Sequence, residues 1–303
     1  MITIKKLIFA PLFLLVFTIL IYQLTPLLRS YDFIFSLSVS TFIELIIIAV
    51  LIFLSSFLFV LFTTISLDWK LFIPVGILAA LTPMVFMDQA LALIFVVGIL
   101  ISLPITYFSL ESTLKSYLNF QPFALLGPSI RHLSALLILS FCLVYFLSAN
   151  KIIAQSGFQI PDSLIDTALK FAQPAGSTTQ ESSTSQLSIS QDQIDLLKKN
   201  PDLLKQSGLD PKVLDTLNSP KSQNTQTDLI KQAVKDQVQS FIKPYLGFIP
   251  AGLAVLLFLT LQSLTSIINL LIYPLLWLTF YILEKSGFIK FVVEQRPVKK
   301  MVV

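Results

Sequence analysis

Charge is what this sequence has least of. Only 13% of its 303 residues are Asp, Glu, Lys or Arg, against roughly 25% in an average soluble domain. With 55% hydrophobic residues and 26 phenylalanines, so little charge cannot cover the apolar surface of a globule in water. Composition alone therefore excludes a water-soluble fold and assigns the chain to a lipid bilayer. Cysteine and histidine each occur once. Cys142 rules out an intramolecular disulfide, and its place in an apolar run reads as a buried, inert thiol. A single cysteine and a single histidine cannot supply the paired ligands of the common zinc sites, so no metal and no cofactor are expected. Arginine is confined to Arg29, Arg131 and Arg296, a lysine bias that points to a bacterial source.

The catalytic and nucleotide signatures are missing as well. Neither G-x-x-x-x-G-K-[ST], G-x-G-x-x-G nor G-x-S-x-G occurs, so nucleotide-driven pumping and common hydrolase chemistry have no sequence support. A net charge of +4 and a pI of about 9.0 do not indicate nucleic acid, because the basic residues are scattered or matched by acids where they are dense. The chain is expected not to be an enzyme.

What is present is a series of long apolar runs. A helix needs about 20 mainly apolar residues to cross roughly 30 Å of hydrocarbon, and in lipid even β-branched and aromatic runs become helix because the backbone must satisfy itself. The fold class expected is all-α: a polytopic integral membrane helix bundle of about seven spans, with a polar, partly disordered helical insertion between the fifth and sixth. Residues 1–149 form an N-terminal membrane region of five spans, 150–243 the extramembrane insertion, 244–284 a two-span hairpin and 285–303 a basic tail.

The first run, residues 7–28, exceeds a signal-peptide core and lacks an A-x-A-like cleavage site, so it reads as a retained span. The second covers 42–62. The third and fourth, 71–87 and 90–110, are divided only by Asp88 and Gln89, and Pro74, Pro83 and Pro104 are expected to bend or break them. Residues 111–130 are half apolar and are expected to lie on the membrane surface or re-enter it. The fifth run, 132–149, begins after Arg131, with His132 as an interfacial side chain. The block 245–283 is twice a span long, and a turn is expected at Gln262, Ser263, Thr265 and Ser266. A short strand is expected around Phe288 to Val293.

The insertion carries equal numbers of lysines and acids and is net neutral. Its stretch 173–190 is rich in Ser, Thr and Gln and reads as a disordered linker. Pro161 and Asp162 open one amphipathic helix. Ser190 with Gln193 makes a capping box, and Asn200-Pro201 and Asp210-Pro211 read as helix starts. "DLLKK" and "DLLKQ" repeat seven residues apart. They place Leu196, Leu197, Leu203 and Leu204 in one series, followed by Leu209, Leu214 and Leu217. Fewer than about 40 residues rarely fold alone, so these leucines pack on each other or on a partner protein. Residues 227–246 form an amphipathic helix leading into the sixth span.

Within the spans, the candidate polar residues are Glu44, Gln262 and Asn269. Gly76 with Ala80 and Gly247 with Ala251 match small-xxx-small helix-packing spacing. The basic residues beside short loops divide five against six under a seven-span topology, so the first span decides: amino terminus inside, insertion outside, in a cell membrane. The functional expectation is a scaffold or assembly protein that meets the bilayer and other membrane or envelope proteins, with no nucleic-acid partner. The alternative is a transporter or channel for a neutral or apolar small molecule, lined by the proline-broken third and fourth spans.

Overall fold

The computed structural model describes residues 8–35, 38–117, 120–158, 239 and 242–289. The candidate partner leucines between 196 and 217, the 173–190 linker and residues 290–303 lie outside these. The chain divides into two compact units. One comprises Met1–Tyr31, Ser38–Ala149 and Leu253–Val303, the other Asp32–Leu37 and Asn150–Gly252.

Every regular element among the described residues is helical. Helix α1 is Phe9–Leu24, extended by a 3-10 turn at Pro26–Leu28; α2 is Val39–Ser66, α3 Trp69–Leu81, α4 Gln89–Ser116 and α5 Pro122–Ser156. Helix α6, Ile249–Ile268, is joined by a 3-10 turn at Asn269–Leu271 to α7, Ile272–Lys285. Six helical runs among the described residues are long and apolar enough to cross a membrane, which is the construction of a membrane protein.

Helix α2 is the centre of the membrane unit. Of its apolar window 67% is buried, against 28% for the peripheral run Lys243–Lys285. It begins where the Ser38 side chain accepts the Thr41 N–H at 3.2 Å. Phe13, near the start of α1, meets Phe59, near the end of α2, with ring centroids 5.3 Å apart, so the two helices run antiparallel. Phe59 also reaches Phe72 of α3 at 6.0 Å. The α2–α3 turn passes through Leu67 at φ 39°, a left-handed conformation that glycine usually takes. Asp68 then caps α3, its Oδ1 accepting the Lys70 N–H at 3.0 Å.

Helices α4 and α5 approach closely at Gly98 of α4. A Cβ there would lie 2.7 Å from Ser140 Oγ and 2.8 Å from Ser140 Cβ on α5. At the end of α1 the Leu28 carbonyl accepts the Ser148 hydroxyl of α5 at 2.6 Å. That bond answers the rule that no backbone group is left unpaired where water is absent. In the second unit, Phe35 and Phe158 meet edge to face at 6.2 Å, and Gln239 donates its side-chain amide to the Phe158 carbonyl at 3.2 Å.

Several sequence expectations change. Pro74 and Pro104 lie inside uninterrupted helices; only Pro83 coincides with a break, where α3 ends at Leu81 and a separate turn, Pro83–Phe86, follows. The segment 111–130 is not a separate connecting element. Its residues 111–116 complete α4 and residues 122–130 open α5, because Pro122 is suited to a first helical position, where its missing N–H costs nothing. The reversal expected at Gln262 to Ser266 is absent. These residues continue α6, since polar side chains alone do not stop a helix and the stretch holds neither Gly nor Pro. Helices α6 and α7 accordingly follow one another through the 3-10 turn at Asn269–Leu271, with no reversal at 262–266.

Beyond α7 the expected strand does not begin at Phe288 or Ile289, and the rest of that stretch lies outside the described residues. Gly287 at φ +66° instead closes α7, with Phe288 N–H bonded to Leu283 O and Gly287 N–H to Glu284 O, both at 2.9 Å. This is the Schellman pattern that glycine permits. The Gly247–Ala251 pair makes no close helix contact at its glycine, where an added Cβ would meet nothing within 4 Å.

Candidate functional site

Two places in the membrane unit combine unusual residues with burial. The first is a polar stripe running from α6 into the 3-10 turn that follows it. Gln262 and Thr265 are three positions apart and Asn269 follows four later, the spacing that aligns side chains on one helix face. Gln262 Oε1, Thr265 Oγ1 and Asn269 Oδ1 are buried and have no hydrogen-bond partner. The fold therefore brings together two of the three polar candidates read from the sequence. Glu44 is not among them: it is exposed on the second turn of α2.

Chemically the stripe offers two amides and a hydroxyl. It can hydrogen-bond a neutral polar group, yet it contains no nucleophile paired with a base and no carboxylate. Five buried hydroxyls elsewhere in the spans are consumed locally. Ser56, Thr63, Ser102, Thr106 and Ser134 each bond the carbonyl four residues back, a pattern that hides the hydroxyl inside its own helix.

Ionisable groups stay at the rim. Among the described residues no Asp, Glu, Lys, Arg or His side chain is buried. Arg131 is exposed and lies over the Phe123 ring at 5.7 Å, and His132 is exposed beside it. Lys115 pairs with Glu111 at 2.8 Å one turn away on α4. No group of three or more His, Cys, Asp or Glu side chains that could hold a metal occurs among the described residues. Cys142 is buried.

The second place is an apolar groove of about 190 Å³ between α3 and α4. Gly76 opens it by withholding a side chain, Pro104 forms part of the α4 wall, and Trp69 stands at one end. Trp69 belongs to an aromatic cluster, with ring centroids 5.1 Å from Phe72, 5.3 Å from Tyr107 and 5.3 Å from Phe108. Phe72 and Tyr107 are themselves 4.6 Å apart. Sequence reading found the prolines and Gly76 but not the groove, because nothing in α3 alone says which face of α4 it meets. The aromatic residues at 69, 72, 107 and 108, clustered at the ends of two runs split by a short loop, were the available signal.

No protein-family model, curated protein or solved structure matches the chain.

Proposed function

We propose that the protein is a non-catalytic, multi-pass scaffold or assembly factor of a bacterial cytoplasmic membrane, which contacts other membrane or envelope proteins through its polar insertion. The carrying observation is that no Asp, Glu, Lys, Arg or His side chain is buried in the described spans. Ion and proton pathways are ordinarily marked by ionisable residues facing a bundle interior. A large polar segment attached to helices without such residues is what a tethered interaction module requires.

A six-crossing topology accompanies this reading. Helix α6 has 20 residues, about 30 Å at 1.5 Å each, which matches the hydrocarbon thickness. Helix α7 then carries Tyr273, Trp277 and Tyr281 at four-residue spacing, all exposed, the composition of an interfacial aromatic belt. With six crossings Lys5, Lys6, Lys70, Lys115, Arg131, Lys285, Lys290, Arg296, Lys299 and Lys300 fall on one side, and outside the insertion only Arg29 falls on the other. The positive-inside rule makes the first side cytoplasmic and the insertion extracytoplasmic.

Capture from membranes in mild detergent tests the scaffold role. The full chain is expected to retain defined partners, and deletion of residues 190–218 is expected to reduce their yield at least about tenfold while the membrane unit keeps its unfolding midpoint. A capture that recovers no partner, or one indifferent to the deletion, contradicts it.

A transporter or channel for an apolar small molecule is the second reading, and the α3–α4 groove is the observation that favours it. Its size weighs against a permeation path, since small-molecule pockets commonly span roughly 300–1,000 Å³. Substrate flux in proteoliposomes that is abolished by filling the groove would select this reading over the scaffold.

A further inference from the structure

We propose that the groove between α3 and α4 is a binding site for one hydrocarbon chain of an anionic membrane phospholipid, whose phosphate is held at the groove end by Lys70. The inference rests on the membrane-spanning reading of α3 and α4 and is independent of the scaffold role.

The walls define the occupant. Phe72 and Leu103 are buried at the floor, while Ile73, Ile77 and Leu100 are 40%, 48% and 45% exposed along the edges. The groove thus opens on the outer surface of two helices that are long and apolar enough to span a membrane, where hydrocarbon is the solvent. Its surface is continuous with the lipid-facing surface on either side. A polar metabolite would find no hydrogen-bonding side chain among its lining residues apart from the Trp69 indole at one end, and an apolar chain needs none.

The ends define the orientation. Lys70 sits three positions before Ile73 and seven before Ile77, so all three share one face of α3. Helical side chains lean toward the N-terminus, which carries the Lys70 ammonium away from the groove and out toward the headgroups, the snorkelling arrangement of lysines at span ends. Lys70 is exposed and has no acidic partner among the ion pairs of the described residues. Trp69, 41% exposed, marks the interfacial level at which a phosphate would lie. A chain seated between Gly76 and Pro104 therefore places its headgroup beside a basic side chain, and charge complementarity selects an anionic lipid.

The Trp277→Phe variant leaves Trp69 as the only tryptophan and makes its fluorescence a local probe. The full-length variant is reconstituted in bilayers doped with phosphatidylglycerol or phosphatidylcholine brominated on the acyl chains. One lysine near the surface corresponds to about a fivefold preference, so brominated phosphatidylglycerol is expected to quench at about fivefold lower mole fraction. Gly76→Leu is expected to remove most of the quenching by either lipid, and Lys70→Gln to equalise the two lipids. Lys70 is exposed, so Lys70→Gln leaves the fold intact even if Gly76→Leu does not assemble. Native mass spectrometry of the unmodified protein is expected to show one retained phosphatidylglycerol. Equal quenching by both lipids in the Trp277→Phe protein would leave only general annular lipid and overturn the proposal. So would quenching that disappears as the protein-to-lipid ratio rises, which would assign the groove to a second copy of the chain.

Discussion

Gly98→Val is expected to separate α4 from α5 and to lower the stability of the membrane unit by about 3 kcal/mol, at the upper end of ordinary overpacking penalties. A Cβ alone would already come within 2.7–2.8 Å of the Ser140 side chain. Serine is too short to rotate out of the way, so the helix backbones themselves must move. Lipid offers no hydrophobic drive to push the helices back together, because hydrocarbon is as apolar as the bundle interior; close packing is what holds them. Gly98→Ala should therefore be costly as well, and adding Ser140→Gly should recover most of its loss. The interaction energy of the double-mutant cycle isolates this contact from general helix propensity. Thermal unfolding in one fixed detergent measures all four proteins. An alanine variant as stable as the parent would mean that α4 and α5 do not meet at this point.

Phe59→Ala is expected to loosen α1, α2 and α3 together. The ring is fully buried, with 0% exposure, and touches Phe13 on α1 and Phe72 on α3 at 5.3 and 6.0 Å. In a water-soluble core a Phe→Ala change costs about 3–5 kcal/mol, part transfer and part cavity. In a bilayer the transfer part shrinks, because the unfolded side chain rests in hydrocarbon, and the lost packing remains. The expected loss is about 2–3 kcal/mol. Phe59→Leu, which refills much of the volume, should lose less than half as much. Substitution of Leu139, 56% exposed on α5, is the control and should leave the unfolding midpoint within about 0.5 kcal/mol.

The helical, bilayer-spanning character of the chain was legible from composition and run length, since hydrocarbon thickness fixes helix length independently of tertiary packing. Helix ends were less so. The 111–130 segment looked amphiphilic enough for the membrane surface, yet Pro122 begins a helix there and α5 continues through Arg131 without interruption. The 245–283 block was divided by polarity, whereas the backbone responds to Gly, Pro and capping geometry, and Gln262 to Ser266 supply none of these. Gly98 escaped notice because a glycine's role lies in what faces it, and Ser140 is 42 residues away in the sequence. Gln262 and Asn269 stood out in the sequence as candidate intramembrane polar residues, but their alignment with Thr265 appears only once 262–266 is helix rather than turn. The groove depends on the pairing of α3 with α4, which the short Asp88–Gln89 connection implied without fixing the face.

The topology proposed is a six-crossing chain with both ends on the cytoplasmic side and the insertion outside. Its most direct test is labelling of intact cells with an impermeant maleimide after Cys142→Ser, with single cysteines introduced as Ser182→Cys and Val303→Cys in separate proteins. Ser182→Cys is expected to label in intact cells and Val303→Cys only after lysis. Labelling at both positions would require an odd number of crossings. Protection of Ser182→Cys until lysis would invert the topology and place the insertion and its partners in the cytoplasm.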